Sequence, residues 1–238
     1  MAIDADLYPV GLLVAGRPCL VVGGGRVAAR KIAGLLACGA AVTVVAPEAH
    51  VALGLLAADG VFARLTGPHL AVHLRPYRAG EAATYRLVVT ATGDPSVDSS
   101  VYRDAEEAGV WVNSADDPDH CTFILPAVTR DGSISVAVST GGSSPALASW
   151  LRRRVAETIA PGLGPLASLL ADARTRIHSR GASTETVDWD ALLDGPLPDT
   201  VRRGDLDEAR RLIDAAVDTA TAGPSTPGPS APAPSTPD

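Results

Sequence analysis

The stretch "LVVGGGRVAARK", residues 20–31, decides the fold class of this chain. An apolar run enters three glycines, and apolar residues then recur at helical spacing, which predicts a buried strand, a tight turn and a helix. Gly23, Gly25 and Ala28 occupy the three small positions of the G-x-G-x-x-G/A dinucleotide pattern. Free N–H groups at such a helix start bind phosphate oxygens, so the stretch predicts a cofactor site. A tight turn without a cofactor is the alternative interpretation.

The residues on either side of this stretch continue the alternation of strands and helices. Helices are predicted at residues 26–38 and 95–108, each followed by a glycine. Alternation of this kind is typical of βαβ units and a parallel sheet. We therefore predict an α/β fold with a Rossmann-type parallel sheet domain over residues 1–113. Its further strands are predicted in "AVTVVAP" (41–47), "VFARL" (61–65), "RLVVTATGD" (86–94) and "VWVN" (110–113).

After Asn113 the pattern changes. "TFILPAVTRDGSISVAVST" contains two β runs around Gly132, which predicts a small antiparallel β segment within residues 114–143. Ser144 before Pro145 is typical of a helix start and opens a predicted helical domain, residues 144–220, with three helices. The Pro/Ser/Thr-rich residues 221–238 lack an apolar period and are predicted to be a disordered tail.

Composition excludes several classes of protein. The chain has 238 residues, 46% of them hydrophobic, which suffices for a substantial core. A formal net charge of −7 and 4% aromatic residues argue against nucleic acid as a partner. No apolar run is long enough for a membrane helix and the first residues do not form a signal peptide, so we expect a cytoplasmic protein without membrane contact. The three cysteines are expected to be reduced thiols.

The ends of the predicted strands supply the remaining candidate cofactor residues, because ligands in open α/β sheets bind at the carboxyl ends of the strands. At the end of the second strand Pro47 is followed by Glu48, a carboxylate displaced from the usual ribose-binding position. No arginine stands there to bind a 2′-phosphate, which favours NAD over NADP. The small residues Ala91 and Thr92 end the fourth strand, where the backbone is expected to approach the cofactor. Ordinary loop chemistry is an equally weighted alternative at this second position.

Two adjacent carboxylates, Asp116 and Asp117, follow the last predicted strand at its carboxyl end. A carboxylate at this point can serve as a general base while hydride passes to the cofactor. Asp117 precedes Pro118 and is interpreted as a turn residue. His120 and Cys121 are too few to form a metal site, so no metal bound by the protein is predicted.

Four blocks of the sequence together resemble the precorrin-2 dehydrogenase/sirohydrochlorin ferrochelatase family, the module also found at the N-terminus of siroheme synthase. They lie within residues 7–180 and include the glycine turn, "VVTATGDPSVD", "VNSADDPDHCTFILPA" and "SVAVSTGGSSPALASWLR". The resemblance implies NAD-dependent oxidation of precorrin-2 to sirohydrochlorin by a homodimer. It also implies a Rossmann domain, a β dimerisation segment and a helical domain. In some members Fe²⁺ enters the product in the same cleft and gives sirohaem.

The resemblance also implies roles for particular residues. It assigns Asp116 as the catalytic residue and carries the cofactor contacts onto Gly23, Gly24, Gly25, Arg26, Val27, Pro47 and Glu48. Thr140 stands where some relatives have a serine. Because precorrin-2 carries many carboxylates, arginines are expected to bind it. We expect this of Arg130, Arg152 and Arg153, together with Thr140.

Two other functions remain open at this point. One is a dehydrogenase alone, with iron inserted into sirohydrochlorin by a separate chelatase. The other is a non-catalytic NAD-sensing module that regulates a partner, which would have no need of Asp116 at the cleft.

Overall fold

A computed structural model describes residues 6–48, 69–159 and 162–221 of the chain. The chain divides into two compact units, one of residues 1–126 with 139–148 and the other of residues 127–138 with 149–238. The β-hairpin therefore groups with most of the helical region. The domain boundaries predicted from the sequence remain a prediction.

The first unit contains a five-stranded parallel sheet with the strand order β3-β2-β1-β4-β5. This order and the parallel pairing confirm the predicted Rossmann-type α/β fold. The strands are β1 (Pro18–Val22), β2 (Ala41–Ala46), β3 (Leu70–Leu74), β4 (Leu87–Thr90) and β5 (Trp111–Ser114). Helices α1 (Arg26–Ala37) and α2 (Pro95–Glu107) lie between them in the described part of the chain.

Alternate residues of β1 face the two helices, because successive side chains of a strand point to opposite faces of the sheet. Cys19 and Val21 are fully buried in a cluster that includes Ile32 of α1. Leu20 and Val22 pack on the other face with Val101 of α2. Covering both faces requires an unbroken apolar strand, which explains why the sequence of β1 lacks the polar alternation of a half-exposed strand.

The edge strand β3 was not predicted from the sequence. The predicted strand "VFARL" lies outside the described residues, whereas "LAVHL" forms β3 and pairs with β2. As an edge strand it leaves Val72 40% and Leu74 63% exposed, and it contains His73. It therefore lacks the continuous apolar run by which the central strands could be recognised.

The second unit begins with an antiparallel hairpin of β6 (Ala127–Asp131) and β7 (Ile134–Val138). Gly132 has a φ of 56°, as the predicted turn requires. The apolar run that was expected to start at Thr122 becomes a strand only at Ala127. Before that point the chain turns back on β5, where the Thr122 N–H donates to the Val112 carbonyl at 2.8 Å.

In the described residues after the hairpin there are five α-helices, where three helices were predicted. A hydrophobic cluster joins the last four of these helices and includes Leu166 and Ile177 of the second helix, Leu197 of the fourth and Ile213 of the last. Ser144 begins the first helix as predicted, since its hydroxyl accepts a hydrogen bond from the Leu147 N–H. The helices are α3 (Pro145–Ile159), α4 (Leu163–Ser179), α5 (Trp189–Leu193), α6 (Leu197–Arg202) and α7 (Leu206–Thr221).

Two sequence-based expectations concern membranes and the tail. Within residues 6–48, 69–159 and 162–221, every helix is too short or too polar to cross a bilayer. The predicted disordered tail lies outside the described residues, apart from Thr221 at the end of α7.

Candidate functional site

The glycine turn between β1 and α1 is closely surrounded by the ends of the neighbouring strands. Gly23 has a φ of 121°, and its N–H donates to the Val45 carbonyl at 2.9 Å. A Cβ atom at Gly23 would lie within 3.0 Å of the Ala91 backbone, and one at Gly24 within 3.0 Å of the Glu48 carbonyl oxygen. Only glycine fits at these two positions, so the turn lies directly against the carboxyl ends of β2 and β4.

Gly25 differs from its two neighbours. A Cβ atom at Gly25 would meet nothing within 4 Å, and its φ of −81° suits any residue. The open space lies at the start of α1, where free N–H groups point outward. A dinucleotide pyrophosphate fits this arrangement, because backbone N–H groups and the helix dipole both favour an anion there.

A cavity of about 680 Å³ opens beside the turn. Six of the predicted cofactor residues line it, and three do not. Ala91 lies under Gly23, while Arg26 and Val27 belong to the first turn of α1. The lining consists of Val22, Gly23, Gly24, Gly25, Val45, Ala46, Pro47, Glu48, Pro76, Tyr77, Ala79, Thr92, Asp94, Ser96, Val97 and Ser100.

Tyr77 holds the loop that follows β3 against α2. Its hydroxyl donates to Asp104 Oδ2 at 2.7 Å and accepts from the Ala82 N–H at 3.0 Å, while the Gly80 N–H also donates to Asp104. Burial and the hydrogen bond to Asp104 raise the pKa of Tyr77. This loop could not be recognised from the sequence, because Tyr77 and Asp104 are 27 residues apart.

Asp98 is a second residue that the sequence analysis missed. It lies on α2, is 8% exposed, and accepts hydrogen bonds from Thr90 and Thr92. Polar residues occupy every second position of "TATGDPSVD", so the sequence does not distinguish the buried Asp98 from its exposed neighbours. Thr92 is thereby held at the wall of the cavity.

Asp116 follows β5 at the carboxyl end of the parallel strands, where the glycine turn also lies. The end of β4 lies between them, since Gly23 is in close contact with Ala91 and the Ala115 N–H donates to the Thr90 carbonyl at 2.8 Å. Asp116 is exposed and has a φ of 64°, and it is the one non-glycine residue with positive φ in the described part of the chain. Non-glycine residues in this conformation are uncommon and concentrate at functional sites.

Asp117 has the turn role that its position before Pro118 predicts. Its Oδ2 lies 2.6 Å from His120 Nδ1, and the His120 N–H donates to the Asp117 carbonyl. The His120 ring packs edge-on against Tyr102, with 4.9 Å between the ring centroids. His120 is therefore engaged within the turn. In the described ranges no group of three or more His, Cys, Asp or Glu side chains could hold a metal ion.

The pKa of Lys31, the single lysine of the chain, is subject to opposing effects. Burial, followed by the charge of Arg30, lowers its pKa, while Asp116 and Cys121 act in the opposite direction. Cys121 is fixed in place, since its sulfur accepts from the Ser114 N–H at 3.2 Å and from Asn113 Nδ2 at 3.4 Å. Burial is the main cause that raises the pKa of the Cys121 thiol.

The residues predicted to bind substrate are divided between the two units. Thr140 belongs to the first, where its hydroxyl donates to the Ser144 carbonyl and accepts from the Ser144 N–H, both at 3.1 Å. Arg130 on β6 and Arg152 and Arg153 on α3 belong to the second unit. Their predicted role stays a prediction.

Three successive parts of the chain match models of known protein families. Residues 10–127 match an NAD(P)-binding family model, residues 131–158 the central region of the sirohaem biosynthesis protein, and residues 162–217 the dimerisation region of sirohaem synthase. The match to this dimerisation model covers α4, α5, α6 and most of α7, and it does not include residues 114–143, where the dimerisation segment was expected.

Individual relatives agree with this assignment. A siroheme synthase of Methylococcus capsulatus is 37% identical over 217 residues, which is 90% of this chain and 44% of the relative. That of Neisseria meningitidis is 40% identical over 175 residues, 74% of this chain and 35% of the relative. The chain thus spans less than half the length of these relatives.

One solved structure matches over its whole length. It is SirC, precorrin-2 dehydrogenase, which is 27% identical, with a TM-score of 0.65 and coverage of 90% of this chain and 100% of that chain. With the three regions matched in order, this chain belongs to the precorrin-2 dehydrogenase/sirohydrochlorin ferrochelatase family, the module found at the N-terminus of siroheme synthase.

Proposed function

We propose that this protein catalyses the NAD-dependent oxidation of precorrin-2 to sirohydrochlorin, with Asp116 as the general base. The observation that carries the proposal is the placement of Asp116. It is an exposed carboxylate in a left-handed conformation at the carboxyl end of the parallel strands, where the glycine turn also lies. The likeness to a precorrin-2 dehydrogenase over that protein's full length supports the substrate.

The residues predicted to bind the cofactor would contact different parts of it. Gly23, Gly24 and Gly25 present the backbone on which the pyrophosphate rests, with Arg26 and Val27 opening the adjoining helix. Pro47 and Glu48 would contact the adenosine half of the cofactor, and Ala91 and Thr92 its other half. We infer NAD rather than NADP, because none of the described residues that line the cavity carries a cationic side chain.

Oxidation removes a hydride and a proton from the substrate. When bound, NAD⁺ would supply the acceptor for the hydride. Asp116 takes the proton. Arg130, Arg152 and Arg153, with Thr140, would bind the carboxylates of the substrate.

The experiment compares Asp116→Asn with wild type under anaerobic conditions, with precorrin-2 and NAD⁺ and with NADH absorbance as the readout. Asparagine tolerates the left-handed conformation, so the variant should fold, bind NAD⁺ and lose about 10²–10⁴-fold in rate. Asp119→Asn, an exposed carboxylate three residues further on, is the matched control. Wild-type rates in Asp116→Asn would contradict the role of the base. Absence of NADH formation from a wild-type protein that binds NAD⁺ would favour the sensing module.

A second arm of the same experiment separates the two enzymatic alternatives. Fe²⁺ is added as a substrate once sirohydrochlorin has formed. Insertion faster than in a protein-free control would establish a chelatase in this chain. An equal rate would leave iron insertion to a separate chelatase.

We also infer that the protein is a homodimer. The match of residues 162–217 to a dimerisation region supports this state. Sedimentation of the full chain at micromolar concentration tests it, and a monomer there would contradict the inference.

A further inference from the structure

We propose that Asp98 is a positioning residue of the cofactor cleft. It fixes Thr92 at the cavity wall by accepting hydrogen bonds from both the hydroxyl and the backbone N–H of Thr92. The inference rests on the proposed dinucleotide binding. It is independent of the substrate and of Asp116.

The hydrogen bonds of Asp98 converge on a single oxygen. Asp98 Oδ1 accepts from the Thr90 hydroxyl, from the Thr92 hydroxyl at 2.7 Å and from the Thr92 N–H at 3.4 Å. Asp98 is 8% exposed and Thr90 fully buried. A buried carboxylate is costly unless it is hydrogen-bonded, and here all three donors come from the end of β4 and the loop that follows.

This arrangement decides what Thr92 offers to the cavity. Its hydroxyl donates to Asp98 and accepts from the Asp94 N–H at 3.0 Å, and its own N–H points to Asp98. Thr92 lines the cavity, yet its polar side-chain atom is engaged within the protein. Thr92 therefore presents its methyl group and backbone to a ligand, and it contributes to binding through the shape of the cavity wall.

The position of this loop also determines the position of the glycine turn. The space beside Gly23 is closed by the Ala91 carbonyl and the Thr92 backbone nitrogen, so the turn rests directly on the loop. If Asp98 released Thr92, the loop could move away from Gly23 and the cavity would lose the wall against which the cofactor packs. A change on α2 would then weaken cofactor binding without touching the cofactor.

An amide at position 98 would serve this purpose less well. Asparagine keeps one acceptor oxygen but lacks the negative charge that strengthens hydrogen bonds to a carboxylate, so its bonds to Thr90 and Thr92 would be weaker. Asp98→Asn should keep the fold and hold Thr92 less firmly. Thr92→Val removes the hydroxyl while preserving the shape of the side chain.

The test is a double-mutant cycle on NAD⁺ affinity, measured by calorimetry with the full chain. We expect Asp98→Asn and Thr92→Val each to raise the Kd for NAD⁺ by about tenfold and the double variant to be no weaker than the weaker single variant, because coupled residues are not additive. Val101→Ala is the control. Val101 is fully buried on the same helix but does not line the cavity, so this variant should lower the melting temperature and leave the Kd within about twofold.

A steady-state measurement adds a readout that general destabilisation would not give. Asp98→Asn should raise the KM for NAD⁺ and leave the KM for the tetrapyrrole unchanged. Additive effects in the cycle, or wild-type affinity in Asp98→Asn, would overturn the inference while the proposed function stands. Failure of the wild-type protein to bind NAD⁺ or NADP⁺ would overturn both.

Discussion

Gly24 approaches Glu48 so closely that a Cβ atom at residue 24 would lie within 3.0 Å of the Glu48 carbonyl oxygen. Glu48 was singled out in the sequence for its carboxylate, but the contact that constrains the turn is made by its backbone. The chain just after β2 thus constrains the conformation of the glycine turn through its backbone.

Alanine substitutions at Gly24 and Gly25 should therefore have different effects. Gly24→Ala should lower the melting temperature and reduce NAD⁺ affinity at least about tenfold, because backbone must move to admit the new methyl group. Gly25→Ala should leave the melting temperature unchanged, since a Cβ atom there meets nothing within 4 Å, yet still weaken NAD⁺ binding. Thermal unfolding and calorimetric titration of both variants test this. Unchanged affinity in Gly25→Ala would place the pyrophosphate elsewhere.

The backbone conformation of Asp116 predicts a conflict between stability and activity. A non-glycine residue at a φ of 64° carries a conformational cost, which glycine would relieve. Asp116→Gly should unfold at the same temperature as wild type or above it, while losing precorrin-2 oxidation. Asp116→Val should be destabilised by about 1–2 kcal/mol, because a β-branched residue is poorly tolerated there. Chemical denaturation of the three proteins is the measurement, and a marked loss of stability in Asp116→Gly would contradict the expectation.

Burial of Cys19 predicts a loss of stability at alkaline pH. Burial raises the pKa of this thiol from 9.0 to about 11. The unfolded chain therefore loses the proton first, so the contribution of Cys19 is fully present below about pH 9 and is lost as the pH rises to about 11. The slope attributable to one proton is at most about 1.4 kcal/mol per pH unit. Cys19→Ala should show a shallower decline in the free energy of unfolding over this range, and identical slopes would argue against the assignment.

The helical cluster of the second unit predicts a large effect from a small truncation. Ile213 of α7 is 1% exposed and packs with Leu197 and Ile177. Ile213→Ala should reduce the free energy of unfolding of this unit by about 2–4 kcal/mol, through lost burial and the cavity left behind. Arg210→Ala, on the exposed face of the same helix, should change it by less than about 1 kcal/mol. Denaturant unfolding followed by circular dichroism distinguishes them, and equal effects would show that Ile213 is not in a core.

The extent to which the fold could be predicted differed between central and peripheral elements. The central strands β1, β2 and β4 were recognisable because burial on both faces demands an unbroken apolar run. The edge strand β3 and the short helices α5 and α6 were missed, because a partly exposed strand and a helix of one or two turns leave no strong periodicity in the sequence. The Asp117 turn was recognised from its proline, but its partner His120 was not.

The parallel sheet, the glycine turn and the position of Asp116 after the last strand could all be predicted from the sequence, because strand and helix periods and turn residues are local properties of the chain. Contacts between distant side chains depend instead on how the helices and strands pack. Asp98 reaches Thr90 from a helix, Tyr77 reaches Asp104 across 27 residues, and Lys31 comes within electrostatic range of Asp116. Such contacts join residues whose spacing carries no period, and they arise only when α1 and α2 pack on opposite faces of the sheet.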